Sequence, residues 1–323
     1  MAPRNIIDAS EDDFLLAQDE VEPVITEATH AQKRPPMKMV WRNIIVYSLF
    51  HIGSLYALWL IPKAKLATFA WLISWYLFCA LGITAGVHRL WSHRSYKAKL
   101  PLRILLAIMQ AGALQNDIIE WARDHRVHHK YSETDGDPHN AKRGFFFAHM
   151  GWLLVRKHPE VAAKGKQIDM SDLYRDPVCR LQRRLYKPLV LVVCFVIPTL
   201  VPWYMWGEQF YVAAYLNLLR FCLLLHATWM INSVAHMWGM RPYDNRINPR
   251  ENPSVALSAI GEGFHNYHHV FPQDYCTSEF GWRFNITTFF IDAAAYVGQA
   301  YDRKKIPADI VLKRRERTGD GSF

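Results

Sequence analysis

Fifteen histidines occur in the 323 residues, and eight of them fall in three tight groups. His88 and His93 stand in HRLWSH, His125, His128 and His129 in HRVHH, and His265, His268 and His269 in HNYHH. A ninth, His236, stands in NSVAH. On a helix, positions i, i+3 and i+4 share a face, so each HxxHH triplet projects three imidazoles from one stripe. The HxxxxH pair overshoots an α-helical face and predicts a long reach or a local helix distortion. Imidazole suits iron, copper, zinc and nickel. A single ion seldom needs more than about four protein ligands, so nine imidazoles point to two metals. An all-nitrogen set open to a small ligand fits iron that activates dioxygen, and the residue types alone leave copper and zinc open. Ligating histidines need their second ring nitrogen fixed, a role for which Glu262, Asp124 and Asp135 are placed. Asn232, one helical turn before His236, is placed to hold a metal-bound water. His30, His51, His139, His149, His158 and His226 carry no such pattern and read as ordinary surface or core histidines.

Something must bring these groups together. Four apolar stretches approach the roughly 20 residues that cross a bilayer, at residues 43–61, 66–87, 188–206 and 210–231. Only short turns separate the first from the second and the third from the fourth, so both pairs read as helical hairpins. The N-terminal tail, residues 88–187 and everything after 231 then share one side. Arg89, Arg94, Lys97, Arg123, Arg126 and Lys130 make that side rich in cations and, by the positive-inside rule, cytosolic; Lys63 and Lys65 run against the rule. The third stretch is interrupted by Pro198 and Pro202. The fourth carries Arg220 and His226, so it cannot face lipid all round. Residues 100–114 are apolar but short, which predicts a helix at the interface or packed on the spans. The expected fold is an all-α integral membrane protein: four transmembrane helices in two hairpins, with a cytosolic helical cap holding a histidine-rich di-metal site.

Bulk properties agree. The mean hydropathy is −0.07, but it averages long apolar runs with very polar segments. The net charge is +9. No nucleic-acid-binding motif accompanies it, and positive-inside bias accounts for most of the excess. Cys79, Cys179, Cys194, Cys222 and Cys276 form no CxxC pair or disulfide framework. Residues 1–35 are polar and acidic, without the apolar core of a cleavable signal, and read as a disordered tail. Residues 36–303 read as the membrane domain and 304–323 as a basic tail, with a solvated helix over 304–317.

With these residues in view, the sequence resembles the membrane-bound acyl-CoA desaturases, the stearoyl-CoA desaturases of animals. The resemblance lies in VWRNII, GITAGVHRLWSH, EWARDHRVHHKYSETDGDPHN, GFFFAHMGWLLVRKHP, ATWMINSVAHMWGMRPYD and GEGFHNYHHVFP, which together span most of residues 39–285. It implies two ferrous ions held by the nine histidines, with Asn232 reaching one of them through water. It implies an acyl tunnel lined near its bend by Gln115, Trp121, Thr228 and Trp229, with Tyr76 near the closed end. Coenzyme A contacts are implied at Asn43, Asn116, Arg123, Asp124, Arg156 and Lys157. The stretch RINPRENPS, residues 246–254, is nearer to the delta-9 than to the delta-11 type of insect members.

The implied reaction is the oxygen-dependent insertion of a cis double bond into a saturated long-chain acyl-CoA at the endoplasmic reticulum membrane, with both termini cytosolic. No flavin or nicotinamide fingerprint and no HPGG string occurs, so electrons would come from a separate cytochrome b5 and its NADH-dependent reductase. Two rival outcomes use the same metal chemistry, a delta-11 pheromone desaturase and a related hydroxylase. A histidine-rich zinc transporter would instead place ionisable groups along a path through mid-membrane, whereas the clusters here lie at the span ends.

Overall fold

The computed structural model describes residues 6–8 and 36–322, so the expectation of disorder over 1–35, and His30, lie almost wholly outside the described residues. The exception is a strand, β1 (Ile6–Asp8), whose backbone pairs in parallel with β4 (Arg303–Lys305). Among the described residues, four helices are long and apolar enough to cross a membrane: Trp41–Lys63, Leu66–Ser92, Tyr186–Trp206 and Phe210–Met237. They overlap the four expected stretches. The second and fourth run on past the expected ends, into the histidine groups they carry.

Helix α1 (Trp41–Leu60) buries Gly53, Ser54, Ala57 and Leu60, one narrow stripe of mainly small residues. Such a stripe lets helix backbones approach closely within a bilayer. A Cβ on Gly53 would come within 2.9 Å of Leu218 Cδ1 in the fourth span. The rest of α1, including Leu49, Ile52, Leu55 and Trp59, is exposed and apolar, as a lipid-facing helix must be. Helix α2 (Leu66–Leu81) passes without a break into an 11-residue π-helix, Gly82–Ser92. There the chain crosses α3 (Leu100–Ala111), which at 12 residues is too short to span and packs on the second span. Only glycine fits the crossing: a Cβ on Gly82 would lie 2.2 Å from Gln110 N and 2.3 Å from Met109 C. Between the two elements runs β2 (Lys97–Ala98), antiparallel to β3 (Ala300–Tyr301). Helix α4 (Ile118–Tyr131) carries the second histidine group and is N-capped by Asp117, which accepts from the Ile119 and Glu120 amides.

The third span runs through a short α-helical segment, Tyr186–Val190, and a π segment, Leu191–Val196, into α5 (Ile197–Trp206). Pro198 has no N–H to give to the carbonyl four residues back, which belongs to Cys194. That carbonyl is satisfied from the fourth span, α6 (Phe210–Asn232), by Asn217 Nδ2 and Arg220 Nη2, each at 3.0 Å. The charged residue of the fourth span is thus buried against protein, as its position demanded. At the opposite end, Lys65 explains its own violation of the charge rule: its Nζ donates to the carbonyls of Trp206 and Gly207 at 2.7 and 2.9 Å, capping α5. Glu208 accepts from Lys65 N and Thr68 Oγ1 and ties the two hairpin turns together.

In the cap, α7 (His265–Val270) carries the third histidine group and α8 (Ile286–Tyr296) packs beside the π-helix. The C-terminal stretch is not the solvated helix expected over 304–317. Its first residues form β4, and α9 (Ala308–Thr318) buries Val311 and Arg314. Ile306 and Val311 pack on Tyr243, Tyr267 and Phe271, and Arg314 pairs with Asp244 at 2.5 Å. Apolar and basic residues alternate at helical spacing, so one face docks while the other carries the charge. Arg89 also departs from its expected place among cytosol-facing cations. It is fully buried.

The crossing at Gly82 makes the first prediction. Gly82→Ala should cost about 1–3 kcal/mol or more and lower the thermal midpoint of the purified protein. Gly165→Ala, whose nearest contact would be an ordinary 3.5 Å, should leave it unchanged.

Candidate metal centre

The π-helix resolves the misfit of HxxxxH. Its bonds run from residue i+5 to residue i, and the His93 amide donates to the His88 carbonyl at 3.1 Å. Residues five apart therefore lie one turn apart, and both imidazoles turn inward. They meet the α4 and α7 histidines in two sets: His88, His93, His125, His129 and His268 in one, and His128, His236, His265 and His269 in the other. Within each set the ligand atoms lie within 4.8 Å of one another. All nine expected histidines are thus brought together and divided five and four. His51, His149, His158 and His226 stand outside both sets.

Three carboxylates bear on the imidazoles. Glu262 accepts from His88 Nδ1 at 2.9 Å, Asp137 from His128 Nδ1 at 3.0 Å and Glu133 from His236 Nδ1 at 3.1 Å. Each places the ring proton on Nδ1 and leaves the Nε2 lone pair facing the centre. Those lone pairs point at one another: His88 and His268 Nε2 are 3.0 Å apart, and His236 and His265 Nε2 2.9 Å. His268 to His129 is 3.0 Å and His265 to His269 is 3.1 Å. Metal–nitrogen bonds of about 2.1 Å place neighbouring ligand nitrogens about 3 Å apart, so the donor set fits two cations. Six of the histidines are also held neutral, the form that binds metal. Burial first, then neighbouring imidazoles, pushes His93, His125, His129, His265, His268 and His269 well below the usual histidine value.

Arg89 supports this layer from behind. Its Nε and Nη2 donate to Glu262 Oε1 at 3.0 and 2.8 Å, and its Nη1 reaches the Tyr275 carbonyl and Thr288 Oγ1. Burial pushes the Glu262 carboxyl up, but Arg89 and His88 outweigh it and hold the group below its ordinary value. Asp137 follows the same logic with His128 and His139. Of the carboxylates expected to orient ligands, Glu262 does so. Asp124 is drawn instead to Arg123, at 2.9 Å, and to Lys157. The carboxylates that serve the second group are Glu133 and Asp137, which bracket Asp135. Sequence reasoning missed them because a turn separates them from the ligands: Glu133 has φ +62, and Asp137 accepts from the Glu133 amide at 2.8 Å. His139, read as ordinary, is buried beside His128 with ring centroids 4.3 Å apart.

A mainly apolar cavity of about 550 Å³ opens onto both sets, with His88 and His125 of one and His265 of the other in its wall. Tyr76, Trp121, Thr228 and Asn232 line it too. Tyr76 is fixed by donating to the Ser258 carbonyl at 2.8 Å, and Trp121 stacks on His125. Gln115 stands behind the wall and donates to Thr228 Oγ1 at 2.9 Å. Trp229 is packed away from it among Tyr47, His51, His149 and His226.

The expected coenzyme A residues fall in two groups and a turn. Asn43 Nδ2 donates to the Leu153 carbonyl and the Arg156 amide to the Lys38 carbonyl, both at 2.8 Å, so the strap before Lys157 lies along the start of α1. Lys157 then reaches Asp124, which Arg123 also holds, with Glu120 3.7 Å from both cations. Asn116 is exposed on the turn before α4, with φ +70.

Two predictions follow from this geometry. Asp137→Asn should weaken metal binding about 10–100-fold, read by metal retained per chain during chelator titration. Glu251 is buried beneath α7, accepting from the Tyr267 amide at 2.7 Å, and burial pushes it up to about 8. The folded protein keeps this proton where the unfolded chain has lost it. The stability it contributes is therefore full below the ordinary glutamate range and lost as pH rises towards 8. Glu251→Gln should flatten the fall in thermal midpoint across that window; an unchanged slope would show that Glu251 is not its source.

Comparison with known proteins supports the same reading. Residues 66–278 match the family model "Fatty acid desaturase". The chain is 62% identical over 291 residues to an acyl-CoA desaturase of Cyprinus carpio, covering 90% of this chain and 89% of that one. It is 55% identical over 317 residues to the stearoyl-CoA desaturase of Homo sapiens, covering 96% and 88%. With the second, third and fourth spans, all nine histidines and the cavity wall inside the matched segment, this chain belongs to the fatty acid desaturase family.

Proposed function

We propose that the protein is an acyl-CoA desaturase that inserts a cis double bond, at the delta-9 position, into a saturated long-chain acyl-CoA. The observation that carries this reading is a mainly apolar cavity whose wall includes members of both histidine sets. An alkyl chain is the ligand such walls suit, and an unactivated methylene has no proton that a side-chain base can take. Two ferrous ions held by the five- and four-histidine sets would supply the activation of dioxygen that side chains cannot.

The residues of the chain do the rest. His88, His125 and His265 bring the two sets against one stretch of the acyl chain. Trp121 and Thr228 hold the chain's position beside them, and Tyr76 limits how far it slides, which sets which carbons are presented. Asn232 faces the same space and would hold water on the metal of the four-histidine set. Arg123, Arg156 and Lys157 would neutralise coenzyme A phosphates by charge-assisted hydrogen bonds, with Asp124 yielding its cations to them; Asn43 and Asn116 would add polar contacts. Cytochrome b5 and its NADH-dependent reductase would supply two electrons. The four spans suit a multi-pass protein of the endoplasmic reticulum, with the cap and both termini cytosolic. The names and identities of the relatives favour the delta-9 outcome.

Expression in yeast lacking its own desaturase, with double bonds mapped by mass spectrometry, tests the reading. New monounsaturated acids with the bond at carbon 9 are expected. A bond at carbon 11 would overturn the assigned position, and hydroxylated products without alkene would overturn the reaction.

A further inference from the structure

Three hydrogen-bonded ties fasten one short segment before α7 along the second span. The Tyr76 hydroxyl donates to the Ser258 carbonyl at 2.8 Å. Thr287 of α8 joins Ile260 to Thr84. Its amide and hydroxyl donate to the Ile260 carbonyl at 3.3 and 3.0 Å, and its Oγ1 lies 2.8 Å from Thr84 Oγ1. A hydroxyl has one proton; given to the Ile260 carbonyl, it leaves the Thr287 oxygen to accept from Thr84. Glu262 accepts from His88 Nδ1 at 2.9 Å. Residues 258, 260 and 262 are thus matched in order to Tyr76, Thr84 and His88, all three of which line the cavity. Ile260 makes the middle tie, between the Tyr76 end and the metal ligands.

The backbone at Ile260 has φ +49. A β-branched residue is an outlier in that region, which glycine enters freely and asparagine and aspartate more readily than most. The turn itself therefore selects against isoleucine, and the next residue, Gly261 at φ +121, is the type such turns ordinarily use. What isoleucine adds is bulk. Ile260 is buried, lines the cavity and belongs to one apolar cluster with Ala80, Ile83 and Leu224, which line it too. A strained residue persists only where its surroundings over-determine it, and such residues gather at ligand clamps. Here the two hydrogen bonds from Thr287 to the Ile260 carbonyl hold the strained backbone in place.

We propose that Ile260 is a specificity-determining residue: its bulk narrows the cavity between the metal ligands and Tyr76, so that only an unbranched, saturated stretch of acyl chain fits beyond the reacting carbons. This limit differs in kind from the one at Tyr76. Tyr76 stops the end of the chain, whereas Ile260 limits its girth partway along. Ala80, Ala227 and Ala259 also line the cavity and have little side chain to give up. The removable bulk lies in Ile83, Leu224 and Ile260, and of these only Ile260 stands at positive φ. A methyl branch or an existing cis bend at that level would have to displace a side chain whose backbone is tied through Thr287 to the second span. A hydrophobic site discriminates against one ill-fitting carbon by about 10–200-fold, which is the size of effect expected.

The assignment rests on the desaturase reading, so binding and turnover are measured separately. Octadecanoyl-CoA is compared with octadecanoyl-CoAs bearing one methyl branch, moved carbon by carbon along the half beyond the reacting pair. The iron-loaded protein in lipid nanodiscs is used, for equilibrium binding without dioxygen and for alkene formation with it. The wild-type protein should disfavour mid-chain branches about tenfold or more against the straight chain in both measurements. Ile260→Ala should bring that ratio close to one, with Ile260→Val between the two; the valine variant carries the test if the alanine variant does not fold. Thr287→Val, which removes the hydroxyl tie, should lower the ratio, whereas Thr287→Ser should keep it. Tyr76→Ala should lengthen the chains accepted and leave the branch ratio as it is. No discrimination in the wild type, or the wild-type ratio persisting in both Ile260 variants, would overturn the assignment. Absence of alkene from every substrate would instead overturn the desaturase reading, and the binding ratios would still decide the role of Ile260.

Discussion

The structure depends on the convergence of nine imidazoles in two sets, with the ligand atoms of each set within 4.8 Å of one another. Carboxylates at Glu262, Asp137 and Glu133 hold His88, His128 and His236 with Nδ1 as the donor, which commits each Nε2 to the centre. Nitrogens about 3 Å apart match the spacing of neighbouring ligands on one cation. Metal held by such a donor set contributes its binding free energy to the folding of the cap. Arg89 shows how deep the arrangement goes. Buried among backbone carbonyls, Thr288 and Asn285, it fixes the carboxylate that fixes the first histidine.

The membrane part supplies rigidity on which the cap can be built. Each irregularity in a span is answered by another span. Pro198 frees a carbonyl that Arg220 and Asn217 take up, and Lys65 caps the helix that ends at Trp206. The second span, where it leaves the membrane region, changes to π geometry so that one helix delivers two ligands five residues apart. The cavity then lies between spans and cap, apolar along the spans and bounded by imidazoles at the cap.

Much of this was legible in the sequence because it rests on periodicity and composition. Spans, hairpins, the short packed helix at Leu100–Ala111 and the clustering of the nine histidines follow from apolar run length and from histidine spacing. Even the distortion at HRLWSH was legible, because five residues do not fit an α-helical face, although its π form was not. What escaped depends on long-range partners. Glu133 and Asp137 act through a turn whose shape no local pattern announces. Arg89 looks like any cytosolic cation until Glu262, distant in sequence, is folded against it. The C-terminal helix reads as charged because its docking face is only a few residues wide, at Ile306, Val311 and Arg314. Trp229, expected at the tunnel bend, packs among Tyr47, His51, His149 and His226, a contact set drawn from three separate segments.

The most direct test of the account is the metal content and coordination of purified protein, by elemental analysis and X-ray absorption at the metal edge. The account predicts two iron ions per chain, each surrounded by nitrogen and oxygen donors at about 2.1 Å, with no sulfur. A single ion per chain, or a sulfur ligand from one of the buried cysteines, would contradict it.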